Sequence, residues 1–433
     1  MPGAVKSAAS FNLETSMKTS TASPPRAGGA ITIGLCLAVA LLEGLDLQST
    51  GVAAPRMAHE FHLAVAQLGW AFGIGALGLL PGAAIGGRLA DRIGRKRVLM
   101  MSVALFGIFS IATTQVWDLQ SLLIARFLTG LGLGAAMPNL IALCAEAAAP
   151  GRRSTAVGAM YCGMPFGAAL AAVIGIVSPG AEGWRHIFYV GGIGPLLTLP
   201  LLAIFLKEST YFVAASRGAT RESKDGIVRA LFSDGRAATT LSLWISYLGT
   251  LIVLYFLMNW LPSMVLSRGL TPVQASIVQM MFNIGGGVGA IVIAGLMDRI
   301  GKRPVVVGMY TGIATALLAL ASATGSVSMA WGGLLAGLFL VGTQSVLYAL
   351  AGATYPTRVR GTGVGAAVAV GRVGSMVGPL IAGQLLALGQ SASMLVISSI
   401  PLIVIAALGA LTVVAKSPRE STNGSHTLGT ESI

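Results

Sequence analysis

Charged side chains occur inside stretches of this chain that are otherwise apolar. Glu43 and Asp46 lie near the middle of residues 31–54, and Arg126 and Arg372 each interrupt another apolar stretch. A run of about 20 apolar residues is long enough to cross a bilayer as a helix. A charge at that depth is unfavourable unless it faces a partner or a wet cavity. The pattern predicts a membrane-embedded path for a charged solute, and a buried structural ion pair is the alternative interpretation.

The residue types indicate which chemistry such a site could perform. Glu43 and Asp46 are three residues apart, so a helix places them on one face. We expect Asp46, alone or together with Glu43, to carry a coupling proton, with Arg126 close enough to drive its release. Arg372 offers a planar set of donors that fits a carboxylate, so we expect it to bind the substrate's carboxylate; a structural arginine is the alternative. A rise of about 1.5 Å per residue along the predicted helices puts all four charges near one level.

Composition predicts an all-α integral membrane protein. The chain is 55% hydrophobic and only 10% charged, whereas soluble domains contain about 25% charged residues. Its mean hydropathy is +0.80. Twelve apolar segments are long enough to span a membrane. The predicted spans are residues 31–54, 66–88, 97–116, 119–144, 154–178, 186–206, 238–260, 275–297, 304–323, 330–352, 361–387 and 391–414.

The distribution of basic residues predicts the orientation of these spans. Of the 28 Lys and Arg residues, only Arg56, Arg185 and Arg268 lie in odd-numbered connections, while most others lie in the tails and the even-numbered connections. Because positive charge is retained on the cytoplasmic side, we predict a multi-pass protein of the cell (inner) membrane with both termini cytoplasmic. The net charge of +13 then reflects topology, and no nucleic-acid partner is expected.

A polar connection divides the spans into two sets of six. Asp91-Arg-Ile-Gly-Arg-Lys96 recurs in the second half as Asp298-Arg-Ile-Gly-Lys-Arg303, and a second run repeats at the same offset. This internal repeat predicts two related halves with a transport site between them. The predicted divisions are a disordered cytoplasmic tail at 1–29, an N-terminal six-helix bundle at 30–206, a cytoplasmic linker at 207–237, a C-terminal six-helix bundle at 238–415 and a cytoplasmic tail at 416–433.

Two motifs resemble those of the major facilitator superfamily. Gly87-Arg-Leu-Ala-Asp91-Arg-Ile-Gly-Arg-Lys-Arg97 is similar to its loop signature between helices two and three, and Arg126-Phe-Leu-Thr-Gly-Leu-Gly-Leu-Gly134 is similar to its fourth-helix motif. The resemblance implies twelve transmembrane helices in two six-helix bundles related by a pseudo-two-fold axis. It also implies secondary active transport by alternating access, in a functional monomer within the lipid bilayer.

A narrower resemblance concerns the aromatic acid/proton symporter family. Glu43-Gly-Leu-Asp46 is similar to its acidic first-helix motif, although Glu43 stands where most members have Asp. The run from Tyr161 to Leu170, the run from Gln344 to Leu350 and the run from Gly361 to Arg372 also resemble this family. The resemblance implies import of a small aromatic carboxylate such as 3-(3-hydroxyphenyl)propionate or a related hydroxylated phenylpropionate. Protons are the implied coupling ion, and no other cofactor is implied.

The loop signatures suggest a conformational latch. Asp91 follows a helix end among several cations, where a carboxylate can cap a neighbouring helix and pair with arginine. Glu146 ends span four ahead of Arg152 and Arg153, and we group it with this latch. A solvated loop and an ordinary helix end are the alternatives. The predicted latch residues are Gly87, Asp91, Arg92, Gly94, Arg95, Glu146, Asp298 and Arg299.

An aromatic solute needs flat apolar walls and a few polar contacts. Tyr348 and Gln344 are four residues apart and share a helix face, which favours a contact with a ring and its hydroxyl. Trp260 precedes Pro262 near a predicted span end, so it is either a wall of the site or an anchor at the membrane interface. Helix packing is the alternative for every candidate. The predicted substrate-binding residues besides Arg372 are Tyr161, Asn259, Gln279, Asn283, Gln344 and Tyr348.

Other functional classes have less support in the sequence. Gly374 and Gly378-Pro379 resemble the glycine–proline pattern of antiporters, so a drug or metabolite exporter of the same fold is the alternative function. A membrane enzyme is not expected, because no nucleophile is paired with a base and no phosphate-binding loop is found. Nor is a metal site expected, since the cysteines stand singly in apolar runs. A non-transporting sensor of the same fold stays open.

Overall fold

The protein is described here by a computed structural model. It describes residues 27–149, 152–209, 212, 231–233, 235–355 and 360–416. The predicted tails at 1–26 and 417–433 and most of the predicted linker lie outside these ranges, as do the side chains of a few helical residues such as Asp298. The predicted domain boundaries therefore stay predictions at those positions.

The described residues form helices and no strand. Within the described ranges, fourteen helices account for twelve membrane-spanning lengths, because α5 with α6 and α13 with α14 each make up one span. The helices are α1 (Ala27–Glu60), α2 (Val65–Ile93), α3 (Arg95–Thr113), α4 (Leu119–Ala147), α5 (Arg153–Tyr161), α6 (Gly163–Val177), α7 (Gly183–Phe205), α8 (Ala237–Ser267), α9 (Pro272–Ile300), α10 (Lys302–Ser322), α11 (Ser326–Thr354), α12 (Arg360–Ala387), α13 (Ala392–Ser398) and α14 (Ile400–Lys416).

Two helices extend past their predicted ends because they continue through a proline. The prediction ended span one at residue 54 and span seven at residue 260, but α1 passes Pro55 and α8 passes Pro262. In a membrane bundle the single hydrogen bond that a proline removes can be replaced by neighbouring groups, so the helix need not stop. Arg56, assigned above to a connection, is therefore a helical residue near the end of α1.

Local sequence explains several of the helix boundaries. Gly94 separates α2 from α3 with φ +102°, and Gly301 separates α9 from α10 with φ +86°, so the repeated loop signature forms the same tight turn in both halves. Asp118 caps α4 by accepting a hydrogen bond from the backbone N–H of Ser121 at 2.8 Å. Hydrogen bonds from the side chain and backbone of Ser121 hold the pKa of Asp118 below its usual range.

The helices pack as two bundles, α1–α7 and α8–α14. The bundles meet through α2 against α12, α6 against α9 and α1 against α8. We call the end where α1 begins and α14 ends the tail face, and the opposite end the far face. Large apolar side chains such as Leu197 (69% exposed), Ile204 (72%) and Leu408 (60%) cover the outside, as is typical of a bundle that contacts lipid.

The bundles are in close contact toward the far face. Trp260 of α8 is buried, its ring meets Phe72 of α2 edge to face at 5.1 Å, and its Nε1 donates to the carbonyl of Pro379 at 3.0 Å. The interpretation of Trp260 as an anchor at the membrane interface is therefore wrong. Trp260 is not at the end of its span, because α8 continues beyond it. Its ring instead helps to close the contact between the two bundles, which we call the seal.

Candidate functional site

Asp46 is held in a charged cluster inside the first bundle. Its carboxylate is fully buried and lies 3.1 Å from Nη2 of Arg126, with a longer contact of 3.4 Å from Nη1. Ser110 of α3 donates to Oδ1 of Asp46 at 2.7 Å. The guanidinium of Arg126 also lies 5.4 Å from the ring centre of Phe188 in α7. Helices α1, α3, α4 and α7 thus build one hydrogen-bonded ion pair, with Arg126 close to Asp46 as expected. A buried structural ion pair, the alternative interpretation, has the same geometry, so the proton-coupling role of these residues stays a prediction.

Glu43 has a different environment, one turn away on the same helix. Its side chain is fully buried, and neither carboxylate oxygen has a hydrogen-bond partner among the described residues. Arg372 is the cation close enough to act on it electrostatically, and Asp46 is the nearby anion. An isolated buried carboxylate is strongly unfavourable when ionised. The two acidic residues therefore differ, since Asp46 is saturated with donors and Glu43 has none.

Arg372 lies where the two bundles meet. Its Nη1 donates to the hydroxyl of Tyr255 in α8 at 2.9 Å, and this is its one hydrogen bond from the side chain to the described residues. It is also within electrostatic range of Glu43 in α1, Tyr161 in α5 and Tyr348 in α11. The remaining N–H groups of the guanidinium are thus available at a point reached by both bundles.

Tyrosines surround this arginine. The hydroxyls of Tyr161 and Tyr348, one from each bundle, are 3.2 Å apart, and their rings meet edge to face at 5.9 Å. Gln344 reaches the hydroxyl of Tyr348 at 3.5 Å, as their shared helix face predicted. Tyr247 packs its ring against Tyr348 at 5.9 Å. The predicted candidates Tyr161, Gln344 and Tyr348 are thus brought together near Arg372, although their roles stay predictions.

Other predicted polar residues gather around an amide of α1. Gln48 donates to the carbonyl of Met258 at 2.8 Å and accepts from Gln279 at 3.0 Å and from Asn283 at 3.5 Å. These bonds join the first bundle to α8 and α9 of the second. Gln279 and Asn283 are therefore engaged in a contact between the bundles, which we call the Gln48 clasp.

A small cavity separates the ion pair from the second bundle. It has a volume of about 20 Å³ and is lined by Arg126, Phe72, Tyr255 and Asn259 among others. Asn259 itself donates to the carbonyl of Tyr255 in its own helix at 2.8 Å. The volume is close to the minimum for one water and far too small for an aromatic acid. The bundles must move apart for a substrate to reach these groups.

The tail face carries part of the predicted latch. Glu146 pairs with Arg95, and Ser209 donates to the same carboxylate at 2.9 Å, so Glu146 is more than a solvated helix end. The free backbone N–H groups at the start of α3 are capped by Glu208, which accepts from Arg95 at 2.8 Å and Lys96 at 3.0 Å. Glu208 is not among the predicted latch residues, because its only signal in the sequence is that of an acidic residue just after span six.

The role of the other latch residues stays a prediction. The described residues include no hydrogen-bond partner for the exposed carboxylate of Asp91. Residues 356–359 and the side chains of 360–362, at the corresponding end of the second bundle, are outside the described part, as is the side chain of Asp298. Gly87, Arg92 and Arg299 lie at the tail-face ends of α2 and α9.

Three residues were missed or left without a role although they lie in predicted spans. Ser110 donates a hydrogen bond to Asp46, Tyr255 accepts one from Arg372, and Gln48 forms the clasp. A hydroxyl or amide inside a span gives a weak signal by itself, because such groups often bond within their own helix. Of the three, Gln48 has the stronger sequence signal, because it is a third polar residue beside Glu43 and Asp46 in one apolar run.

The chain is similar to known transporters in both sequence and fold. The chain is 48% identical over 405 residues to a 3-(3-hydroxy-phenyl)propionate transporter of Escherichia coli (strain K12), covering 93% of this chain and 98% of that protein. It is 34% identical over 382 residues to a gallate transporter of Pseudomonas putida, covering 82% and 85% of the two chains. The crystal structure of a D-xylose-proton symporter has the same fold, with a TM-score of 0.74, 18% identity and coverage of 90% and 98%.

A family profile matches nearly the whole described chain. The profile of the Major Facilitator Superfamily matches residues 36–342 and 243–432, so it includes both bundles. The twelve spans and the relatives agree with this match, and the predicted fold class and multi-pass membrane character are confirmed. This chain belongs to the Major Facilitator Superfamily, and its sequence relatives include transporters of aromatic acids.

Proposed function

We propose that this protein is a proton-coupled symporter that imports a small aromatic carboxylate, most closely a hydroxylated phenylpropionate. The observation that carries the proposal is Arg372, which lies between the bundles with unused donors and within electrostatic range of the unpartnered Glu43. The 48% identity to a transporter of 3-(3-hydroxy-phenyl)propionate supports the choice of substrate. The protein acts as a monomer in the lipid bilayer, transports its substrate unchanged and is not an enzyme.

The substrate carboxylate binds Arg372. A guanidinium can hold a carboxylate through two parallel hydrogen bonds, and it stays charged at every physiological pH. Tyr255 uses one Nη1 hydrogen bond and thereby orients the group. When the bundles separate, the contact between the hydroxyls of Tyr161 and Tyr348 is lost, and both become available to a hydroxyl on the substrate ring.

The position of Glu43 explains how a proton and an anion travel together. An ionised Glu43 competes with the substrate carboxylate for the positive charge of Arg372, and it is itself buried without donors. A protonated Glu43 leaves Arg372 free for the substrate. Proton binding and anion binding therefore favour one another, which is the coupling that a symporter requires.

Asp46 and Arg126 complete the proton path. Protonation of Asp46 would weaken its ion pair with Arg126, which is shared among α1, α3 and α4 through Ser110. Loss of this pair loosens the first bundle next to the cavity that faces α8. We propose that Asp46 and Glu43 exchange the coupling proton, with Arg126 favouring its release.

Orientation follows the charge distribution. The tail face is cytoplasmic, the membrane is the cell (inner) membrane, and both termini lie inside the cell. The far face then lies on the outer side of the membrane. An anion entering a negative interior needs accompanying cations, and protons meet this need at a site built from carboxylates.

Uptake into proteoliposomes tests the proposal. With an inward proton gradient, the protein should accumulate 3-(3-hydroxyphenyl)propionate to a higher level than each member of a panel of benzoates and phenylacetates. Arg372→Lys should weaken apparent affinity by about tenfold or more, because a two-pronged charged contact is lost. The exposed Arg97→Lys is the matched control and should behave as the parent does. Near-normal affinity in Arg372→Lys would contradict the assignment of the carboxylate site.

Proton coupling is tested separately by replacing the carboxylates of Asp46 and Glu43 with neutral amides. Asp46→Asn should abolish accumulation driven by the proton gradient while counterflow exchange survives. Glu43→Gln should bind substrate without the usual dependence on pH, since Arg372 has lost its internal competitor. If gradient-driven accumulation persists in both variants, another residue carries the proton.

The exporter alternative is distinguished by the direction of proton movement. Substrate added outside right-side-out vesicles should acidify the interior for a symporter and alkalinise it for an antiporter. The glycine–proline pattern that suggested an exporter has a packing explanation, because Gly374 and Gly378 of α12 lie directly on the backbone of α8 at Leu248 and Ile252. Interior alkalinisation would nevertheless favour the exporter.

A further inference from the structure

Among the described residues, three arginines lie at the far-face ends of helices, and two of them are fully engaged. Arg185 pairs with Glu60 at 2.5 Å and donates to the carbonyl of Thr114 at 3.1 Å. Arg268 donates to the carbonyls of Leu320 at 3.0 Å and Ala323 at 2.6 Å, besides other acceptors. These two side chains tie helix ends together and have a structural explanation.

Arg56 has no comparable set of partners in the described part of the chain. Its Nη2 donates to the carbonyl of Gly175 in α6 at 3.1 Å, but its buried Nη1 has no hydrogen-bond partner among the described residues. Gly183 leaves room for this group, because a Cβ there would come within 3.1 Å of Nη1. A buried guanidinium nitrogen without an acceptor is unfavourable, so the Arg56 side chain is held less firmly than those of Arg185 and Arg268 and can turn toward an anion beside it.

Arg56 lines a larger cavity than the one beside the ion pair. This outer cavity has a volume of about 200 Å³ and lies between the bundles on the far-face side. The first bundle contributes the end of α1, and the second contributes the end of α8 and the start of α9. Its apolar walls include Val52, Pro55, Pro262, Leu266 and Ala275.

The charge balance of the outer cavity favours an anion. Glu60 also lines it, but that carboxylate is occupied by Arg185 and by Trp184, whose Nε1 donates to it at 2.7 Å. His59 also lines the cavity, and Arg56 is the arginine among the lining residues, with no ion pair to a described carboxylate; most of the other walls are apolar. Apolar walls with one cationic donor match a single aromatic ring that carries a carboxylate.

We propose that the outer cavity is a second binding site for an aromatic carboxylate, with Arg56 as its anion-binding residue. The site rests on the proposed function for the class of ligand, but it is separate from the site at Arg372. It lies on the far-face side of the Gln48 clasp and receives the acid before the bundles open. Closing of the bundles around it explains why residues of both halves form its walls.

Equilibrium dialysis of the purified full chain with labelled 3-phenylpropionate tests the second site. The probe is measured on the Arg372→Gln protein, in which the first site is disabled. We expect weak residual binding there, and a loss of about tenfold or more in affinity when Arg56→Gln is added, because a charge-assisted hydrogen bond is removed. The neutral alcohol 3-phenylpropanol should show no dependence on Arg56.

A second variant keeps the test decisive if Arg56→Gln folds poorly. Ser276→Phe fills the outer cavity from α9 and leaves Arg56 unchanged, so it should remove the residual binding as well. Absence of residual binding in Arg372→Gln, or residual binding unaffected by both changes, would overturn the second site. If the unmodified protein neither binds nor transports the acid, the proposed function itself fails, which is a distinguishable result.

Discussion

The Gln48 clasp allows a quantitative prediction about opening at the far face. Gln48 joins the bundles through bonds of 2.8 Å to Met258 and 3.0 Å to Gln279, and a marginal contact of 3.5 Å to Asn283. Gln48→Leu removes all of these while nearly conserving volume. The partners left behind are unsatisfied while the far face is closed and gain water when it opens, so the change favours opening.

The magnitude follows from the two bonds of normal length. Each contributes about 0.5–1.5 kcal/mol net, so their loss weakens the closed state by about 1–3 kcal/mol. Because about 1.4 kcal/mol corresponds to a factor of ten, the ratio of closed to open protein should fall about 5- to 150-fold. The marginal bond to Asn283 is not counted.

Thiol labelling measures this ratio. Thr50 is buried and lines the small cavity beside the ion pair, so a thiol introduced by Thr50→Cys is protected from a membrane-impermeant maleimide added at the far face until the bundles separate. The partly exposed Cys162 is replaced by serine in the same background. If opening is fast relative to labelling, the rate follows the open population and should rise by the factor given above when Gln48→Leu is added.

A matched variant distinguishes the clasp from a general effect of losing a buried amide. Gln344 also lies in a span, but its contact is with Tyr348 of the same helix. Gln344→Leu should therefore leave the labelling rate of the introduced thiol unchanged. A Gln48→Leu protein that labels at the parent rate would refute the reasoning.

Three further predictions concern packing and charge. Gly167→Leu should lower the yield and thermal stability of the folded protein, because even a Cβ there would lie 2.9 Å from the backbone nitrogen of Leu45; Gly158→Ala, which meets open space, should not. Phe72→Leu keeps most of the buried apolar area but removes an edge-to-face aromatic pair worth about 0.5–1.5 kcal/mol, so it should increase far-face labelling by a smaller factor than the clasp variant does. Glu146→Gln breaks a partly exposed ion pair worth about 1 kcal/mol or less, so the unfolding midpoint should fall only slightly in a thermal scan.

Much of the architecture could be read from the sequence, for a local reason. A spanning helix is set by the length of one apolar run, because its backbone must bond within itself in lipid. The repeat of Asp91 to Lys96 at Asp298 to Arg303 showed the two halves, and the mid-span charges at Glu43 and Arg372 showed where chemistry was possible. None of these inferences depends on knowing which helices are neighbours.

The helix ends were less accurate because context decides them. A proline near an apolar boundary reads as a stop, yet α1 continues past Pro55 and α8 past Pro262. In both cases the extra turns belong to the contact between the bundles. Arg56 and the segment after Trp260 line the outer cavity, and Trp260 itself packs against Phe72 of the other bundle. Packing energy from the other bundle is not visible in a local pattern.

Only the tertiary structure decided which charge meets which. From the sequence, Asp46 was the expected proton carrier, alone or together with Glu43 on the same helix face. The structure separates them, because Arg126 and Ser110 saturate Asp46, whereas Glu43 is left to face Arg372. Partners of this kind are far apart in the chain, and whether they meet depends on helix order and rotation. That is why the types of side chain predicted a transporter, while the division of roles between its acids required the fold.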